Sequence, residues 1–194
     1  MLPILNHCGT KQVEILDLPA QATEQFLGGL EKFKAEAIFE EKGVRMTIPL
    51  YASDEREAMF TAAQIIQATS NFADYVIVEN PARYKSETFL ESKVMSMLPQ
   101  DVPRLKIPQI TANTLTEVDK VSKAKGKALT FLEASKEKQL PIGSRMELEQ
   151  WHSVMHKNMQ EMAAYLVPDP EKIKNHIEEK KKKSTASIGG AFDL

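Results

Sequence analysis

The stretch DYVIVENPARY, residues 74–84, begins with an apolar run over 74–79 that reads as a buried strand and ends on Asn80, with Pro81, Ala82 and Arg83 behind it. Three other runs share its character. Upstream, VEILDL (13–18) is short and apolar, is broken by one Glu and stops at Asp17, Leu18 and Pro19, the pattern of a mostly buried strand. VRMTIPLY (44–51) alternates and is rich in β-formers, with Pro49 near its end, where a strand edge or exit tolerates a missing N–H. Downstream, LKIPQI (105–110) reads as a short strand containing Pro108. Four strands are therefore expected.

Between the strands the period changes. Phe26, Leu30, Phe33 and Ala37 recur at spacings of three and four, which predicts one helix, weakened in its middle by Gly28 and Gly29 and stopped by Gly43. Asp54 with Glu57 reads as a capping box, opening a helix whose buried stripe is Met59, Ala62, Ala63 and Ile66 and which reaches about Ser70. Another helix is expected over 86–98. Beyond Thr111 the strand signal ceases. Residues 114–138 and 144–166 read as helices separated by the Pro141 and Gly143 break, and Leu148, Trp151, Met155, Met162 and Leu166 make the second amphipathic. Strands alternating with helices, on crossovers longer than about a dozen residues, imply an α/β fold: a mostly parallel sheet with helices on both faces, ending in two long helices. That domain is expected over 1–167, followed by a polar, mobile tail over 168–194 that contains Lys180 to Lys183.

The 194 residues suffice for one core without disulfides or metals. A formal charge of −2 predicts no global attraction to nucleic acid or membrane, so any polyanion contact must be local. The single cysteine, Cys8, excludes an internal disulfide framework and any multi-cysteine zinc site, which suits a reducing cytoplasm. No apolar run approaches the roughly 20 residues needed to span a bilayer, and a cytoplasmic protein is expected.

In open α/β sheets, ligands bind beyond the carboxyl ends of the strands, where loops and helix amino termini converge. Three expected strand ends carry polar groups: Asp17, Asn80, and Pro108 with Gln109. An acidic residue ending an apolar strand is the Walker B arrangement, in which the strand fixes a carboxylate beside magnesium and nucleotide phosphates. The same residue also serves, in many α/β domains, only to cap the next helix.

The string VEILDLPAQ resembles the hydrophobic-Asp-x-Pro-Ala segment of ParA/MinD-type ATPases, P-loop NTPases with a deviant Walker motif, and especially their plasmid-borne StbB-like branch. TIPLYAS is similar to the family strand that leads through Pro and Ser into a helix, with Pro49 and Ser53 in those places. VIVENPARY resembles the strand ending in an Asn that reads adenine, which implies Asn80 as the base contact and Arg83 as its neighbour. LKIPQI resembles the strand whose Pro packs near that base, here Pro108. RMELEQWHSVM is similar to a late helix of the plasmid branch. The resemblance covers about residues 13–166 and implies ATP and magnesium as ligands, with Asp17 as both metal ligand and catalytic residue. It further implies a homodimer, a ParB-like partner protein, nonspecific DNA contact, and a role in plasmid or chromosome partitioning.

One departure limits the chemistry. No G-x-x-x-x-G-K-[ST] occurs, and the only Gly-Lys pair, Gly126 and Lys127, precedes Ala128 inside an expected helix. Without that loop the β- and γ-phosphates have no cradle of backbone amides and lysine, so hydrolysis by this chain alone is not expected. The alternative is a non-enzymatic interaction module that uses the Trp151 and Met155 helix as its partner surface. Two further clusters carry charge or metal-ligating groups. Glu149, His152 and His156 share a helix side at metal-site spacing but read better as solvated residues. Lys120, Lys123 and Lys127, with Lys136 and Lys138 beyond, form a basic face diluted by Glu117, Asp119, Glu133 and Glu137.

Overall fold

The computed structural model describes residues 13–18 and 22–166. Cys8, His7 and the expected tail over 168–194 lie outside the described residues. In chain order the elements are α1 (Thr23–Lys32), α2 (Ala35–Lys42), β1 (Met46–Tyr51), α3 (Arg56–Thr69), β2 (Ala73–Glu79) and α4 (Ser86–Leu90). A 3-10 turn (Met95–Met97), β3 (Arg104–Lys106), α5 (Ala112–Lys125), α6 (Phe131–Ser135), α7 (Ile142–Glu161) and α8 (Ala163–Leu166) follow. The three strands form a small parallel sheet in the order β1-β2-β3, which establishes the coarse α/β class. The chain forms two compact units. One holds the described residues up to Ile48, Thr61–Tyr75 and those from Ala163 on; the other holds Pro49–Phe60 and Val76–Met162.

Residues 13–18 correct the first expectation. They form no strand or helix, and all six are exposed, including Val13, Ile15, Leu16 and Leu18. A strand exists only where a neighbour takes up its N–H and C=O groups, and an apolar run supplies no such neighbour by itself. The sheet thus has three strands among the described residues, not four.

In the first unit, the single helix expected up to Gly43 is two. The break falls at Lys34, which adopts left-handed backbone at φ 49°, and not at Gly28 or Gly29. For a residue with a Cβ this conformation costs about 1 kcal/mol. It re-phases the apolar stripe, so that Ala35 and Phe39 join Phe26 and Leu30 in the core while Ala37 stays exposed. Gly43, at φ 62°, ends α2 as expected, and the Val44 amide closes the turn onto the Phe39 carbonyl at 2.8 Å. Phe72 packs tilted on Phe39 with ring centroids 5.8 Å apart. Polar ties hold the strand ends of this unit. Arg45 and Asp74 pair at 2.6 Å, Arg45 lies over the Tyr165 ring, and the Thr47 hydroxyl donates to the Tyr165 carbonyl. Thr69 Oγ1 bonds the Ile65 carbonyl at 2.7 Å and shares a 2.8 Å hydrogen bond with the buried Tyr75 hydroxyl. Burial raises the Tyr75 phenol above its ordinary value; the Thr69 bond opposes this and the Asp74 charge adds to it.

In the second unit, Val76, Ile77 and Val78 of β2 are buried, as the central place of their strand requires. A separate cluster joins Val118 and Val121 of α5, Ala134 of α6, Leu140 in the connection after α6, and Leu148 of α7. The expected helix over 114–138 is divided at Gly126, whose φ of 65° ends α5. Thr130 and Glu133 then open α6 with a reciprocal capping box. Likewise, 86–98 yields only α4 and the 3-10 turn. Strand β3 stops at Lys106, so Pro108 lies beyond it, as a residue without an N–H must when a ladder ends.

Candidate functional site

The second unit brings three strand exits to one rim. Parallel register pairs Ile77 with Arg104, Val78 with Leu105 and Glu79 with Lys106, so β2 and β3 end flush. The Ile107 amide donates to the Glu79 carbonyl at 2.9 Å, and the Ala52 amide to the Val78 carbonyl at 2.9 Å, which sets the end of β1 level with them. The loops at 52–54, 80–85 and 107–109 therefore leave the sheet side by side, where an α/β sheet places its ligands.

Each loop is pinned. The Asn80 carbonyl accepts from the amides of Arg83 and Tyr84, both at 3.0 Å, closing a tight turn around Pro81. Ser53 is buried and its hydroxyl oxygen accepts from the Glu55 amide at 3.1 Å. Asp54 does not form the expected capping box: α3 starts at Arg56, and the Asp54 carboxylate accepts instead from the Lys85 amide at 3.4 Å, joining the first loop to the second. From α7, the Trp151 indole N–H donates to the Pro108 carbonyl at 2.7 Å, and Asn158 Nδ2 to the Lys106 carbonyl at 2.8 Å. Trp151 also meets Phe131 edge to face at 5.1 Å. An open cleft of about 330 Å³ lies here, between Pro81, Lys106, Pro108 and Gln109 on one side and Val154 and Asn158 of α7 on the other.

Of the expected site residues, the structure places Asn80 and Pro108 on adjacent exits of this rim, with Arg83 exposed in the turn behind Asn80. Asp17 is placed differently. It belongs to the first unit, in the exposed segment 13–18, and the strand end that was to fix its carboxylate does not form. Among the described residues no group of three or more His, Cys, Asp or Glu could hold a metal ion. Glu149, His152 and His156 are all exposed, the two imidazoles stacked 6.4 Å apart.

Trp151 and Asn158 were not expected at the site. Asn158 had a signal, since it interrupts the apolar stripe of α7 between Met155 and Met162 with a polar side chain. Trp151 was expected to face a partner; both it and Met155 are half-buried, and its indole is engaged at the rim.

Much of the expected basic face resolves into internal pairs. Lys120, Lys123 and Lys127 bind Glu117, Asp119 and Glu133 at 2.7, 2.6 and 2.9 Å, and Lys125 binds Glu137, so these cations add no unmatched positive field. The amino terminus of α5 is occupied by Glu147 of α7. Its carboxylate accepts from the Thr114 hydroxyl and from the Thr111 amide and hydroxyl at 2.7 and 2.8 Å. The Thr114 bond holds its pKa below the usual carboxylate range, against the opposing effect of burial and with help from Thr111. A wider groove of about 850 Å³ in the first unit runs past Leu27, Glu31, Lys34, Glu36, Gln64 and Phe72. It is the larger hollow but lies on helix flanks with no converging strand ends, and chemistry favours the rim.

Comparison with family models, curated proteins and solved structures finds no match to this chain. No helix among the described residues is long and apolar enough to cross a membrane.

Proposed function

We propose that this chain is part of a ParA/MinD-type nucleotide-binding domain of the P-loop class, which binds the base of ATP at the rim of its second unit and does not hydrolyse ATP alone. The supporting observation is the flush register of β2 and β3, which sets Asn80 and Pro108 on neighbouring exits. The base fits this rim: two prolines offer rigid apolar faces, and Asn80 a donor and an acceptor within one turn. Magnesium does not fit. An exposed carboxylate on irregular chain, Asp17, is not the preorganised ligand such an ion needs, and no step is routed through it. A phosphate cradle would have to come from residues outside those present here, in a longer chain or a partner.

On this reading the partition role, the homodimer, the ParB-like partner and nonspecific DNA contact belong to the complete assembly, in a cytoplasmic setting. Calorimetric titration with ATP tests it: saturable binding that does not require magnesium and is weakened about tenfold by Asn80→Ala is expected. Absence of binding would sink the reading. It would leave the non-enzymatic interaction module, whose surface is then Ile142 and Met146, one turn apart on α7 and 69% and 63% exposed, rather than Trp151.

A further inference from the structure

The groove of about 850 Å³ in the first unit combines a small, apolar lining with a surplus of negative charge. Leu27, Gly28, Ala68 and Phe72 supply the first, and a Cβ built on Gly28 would meet nothing within 4 Å, so the space there is open. Three glutamates line it against one lysine, Lys34. Two of them, Glu31 and Glu36, are exposed, and no described cation pairs with either. Such a surface suits a segment that carries isolated apolar side chains among lysines. The chain itself returns to this unit in α8. There the Tyr165 carbonyl accepts from the Thr47 hydroxyl at 2.7 Å, and its ring meets Arg45, the partner of Asp74. Phe72, in the groove lining, is only two residues from Asp74. Residues 171–183, EKIKNHIEEKKKK, then hold six lysines against three glutamates, with Ile173 and Ile177 four apart. Seven residues separate Leu166 from Ile173, a reach of up to about 25 Å, against at most about 7 Å between residues 72 and 74.

We infer that this groove is the docking site for residues 171–183 of the same chain, with Ile173 and Ile177 seated on Leu27 and Phe72 and with Lys172 and Lys174 answering Glu31 and Glu36. The inference stands apart from the nucleotide-binding reading. A spacing of four is one helical turn, so in a docked helix the two isoleucines share a face and Lys172 and Lys174 flank it on either side. Tethering raises the local concentration of the segment to the millimolar range, so a contact too weak to hold a free peptide suffices. Its electrostatic part is exposed and is therefore weakened by salt.

A pair of thiols in the full chain tests this. Cys8→Ser removes the sole native thiol, Gln67→Cys places one on an exposed position of the groove lining, and His176→Cys places the other between the isoleucines. Mild oxidation is expected to close an intramolecular disulfide, seen as a faster-migrating monomer on a non-reducing gel. Ile173→Asp with Ile177→Asp, and separately Glu31→Lys with Glu36→Lys, are expected to slow closure about tenfold. Adding Lys172→Glu with Lys174→Glu to the second pair is expected to restore it, and circular dichroism melting shows that each variant is folded. Closure at the parent rate in both sets of variants would mean that the tether alone brings the thiols together, and overturns the inference. A disulfide-linked dimer in place of the closed monomer overturns it as well, by placing the segment on a second copy, and so does the absence of any disulfide.

Discussion

Two six-residue segments, VEILDL at 13–18 and DYVIVE at 74–79, look alike as strings and end up in opposite environments. Ile15 of the first is 89% exposed, whereas Ile77 of the second is fully buried. The second is the central strand: its amides and carbonyls meet β3 and the residue after β1, and its side chains meet a core. The first has the composition of a strand without a ladder to join. Apolar content therefore qualifies a segment for a sheet, and the presence of a neighbour admits it.

Hydrogen exchange should show the widest gap between the two. Amides of Val76, Ile77 and Val78 are expected to exchange only on opening of the second unit, while those of residues 13–18 exchange near the rate of unstructured chain. Slow exchange at 13–18 in the isolated protein would break the comparison. Protection that appears there only when a partner is added would sharpen it, by showing that the missing neighbour is supplied from outside.

Side-chain truncation gives the next largest contrast. Ile77→Ala should destabilise the protein by about 2–5 kcal/mol in chemical denaturation, through lost transfer energy and the cavity left behind. Ile15→Ala should stay within about 0.5 kcal/mol, since it removes nothing from a core. A cost at Ile15 comparable to that at Ile77 would mean the first segment is packed after all.

Smaller effects probe the positions where neighbours overrode pattern. Lys34→Gly, at the left-handed junction of α1 and α2, is expected to stabilise by up to about 1 kcal/mol, because glycine adopts φ 49° without the Cβ clash. Destabilisation would show that the Lys34 side chain contributes more than its backbone costs. Trp151→Phe removes the indole donor to the Pro108 carbonyl while leaving a ring against Phe131, and should cost about 1 kcal/mol.

The smallest effect is a pH dependence in α6. The Thr130 amide foremost, then the Lys127 ammonium and the Thr130 hydroxyl, hold Glu133 down from 4.5 to about 2. A depressed carboxylate contributes stability that is fully present above 4.5 and is lost as pH falls toward about 2. Glu133→Gln should flatten the acid limb of the stability profile in that window only slightly, as the group is fully exposed and solvent screens it.

Legibility followed the range of the interactions concerned. The strand over 74–79, the stop at Gly43 and the amphipathic α7 depend on local period and backbone freedom, and each was readable from its own residues. The break at Lys34 was not, because the gain from burying Ala35 and Phe39 with Phe72 comes from chain far from the turn. Asp54 illustrates the same limit at the rim: its spacing to Glu57 is that of a cap, yet its bond is to Lys85, 31 residues away. Asn80 and Pro108 could be marked as strand ends, but Trp151 and Asn158 could not be assigned to the same place without knowing which edge α7 covers.

By itself, then, the amino-acid order determined an alternating α/β pattern, the buried central strand, the helix stop at Gly43 and the lack of a phosphate-loop motif, since these rest on contacts within a few residues. Tertiary structure alone decided that 13–18 stays outside the sheet, that the helices break where they do, and that α7 closes on the exit of β3. Those outcomes depend on long-range hydrogen bonding and burial, in which a segment's conformation is set by the groups it meets.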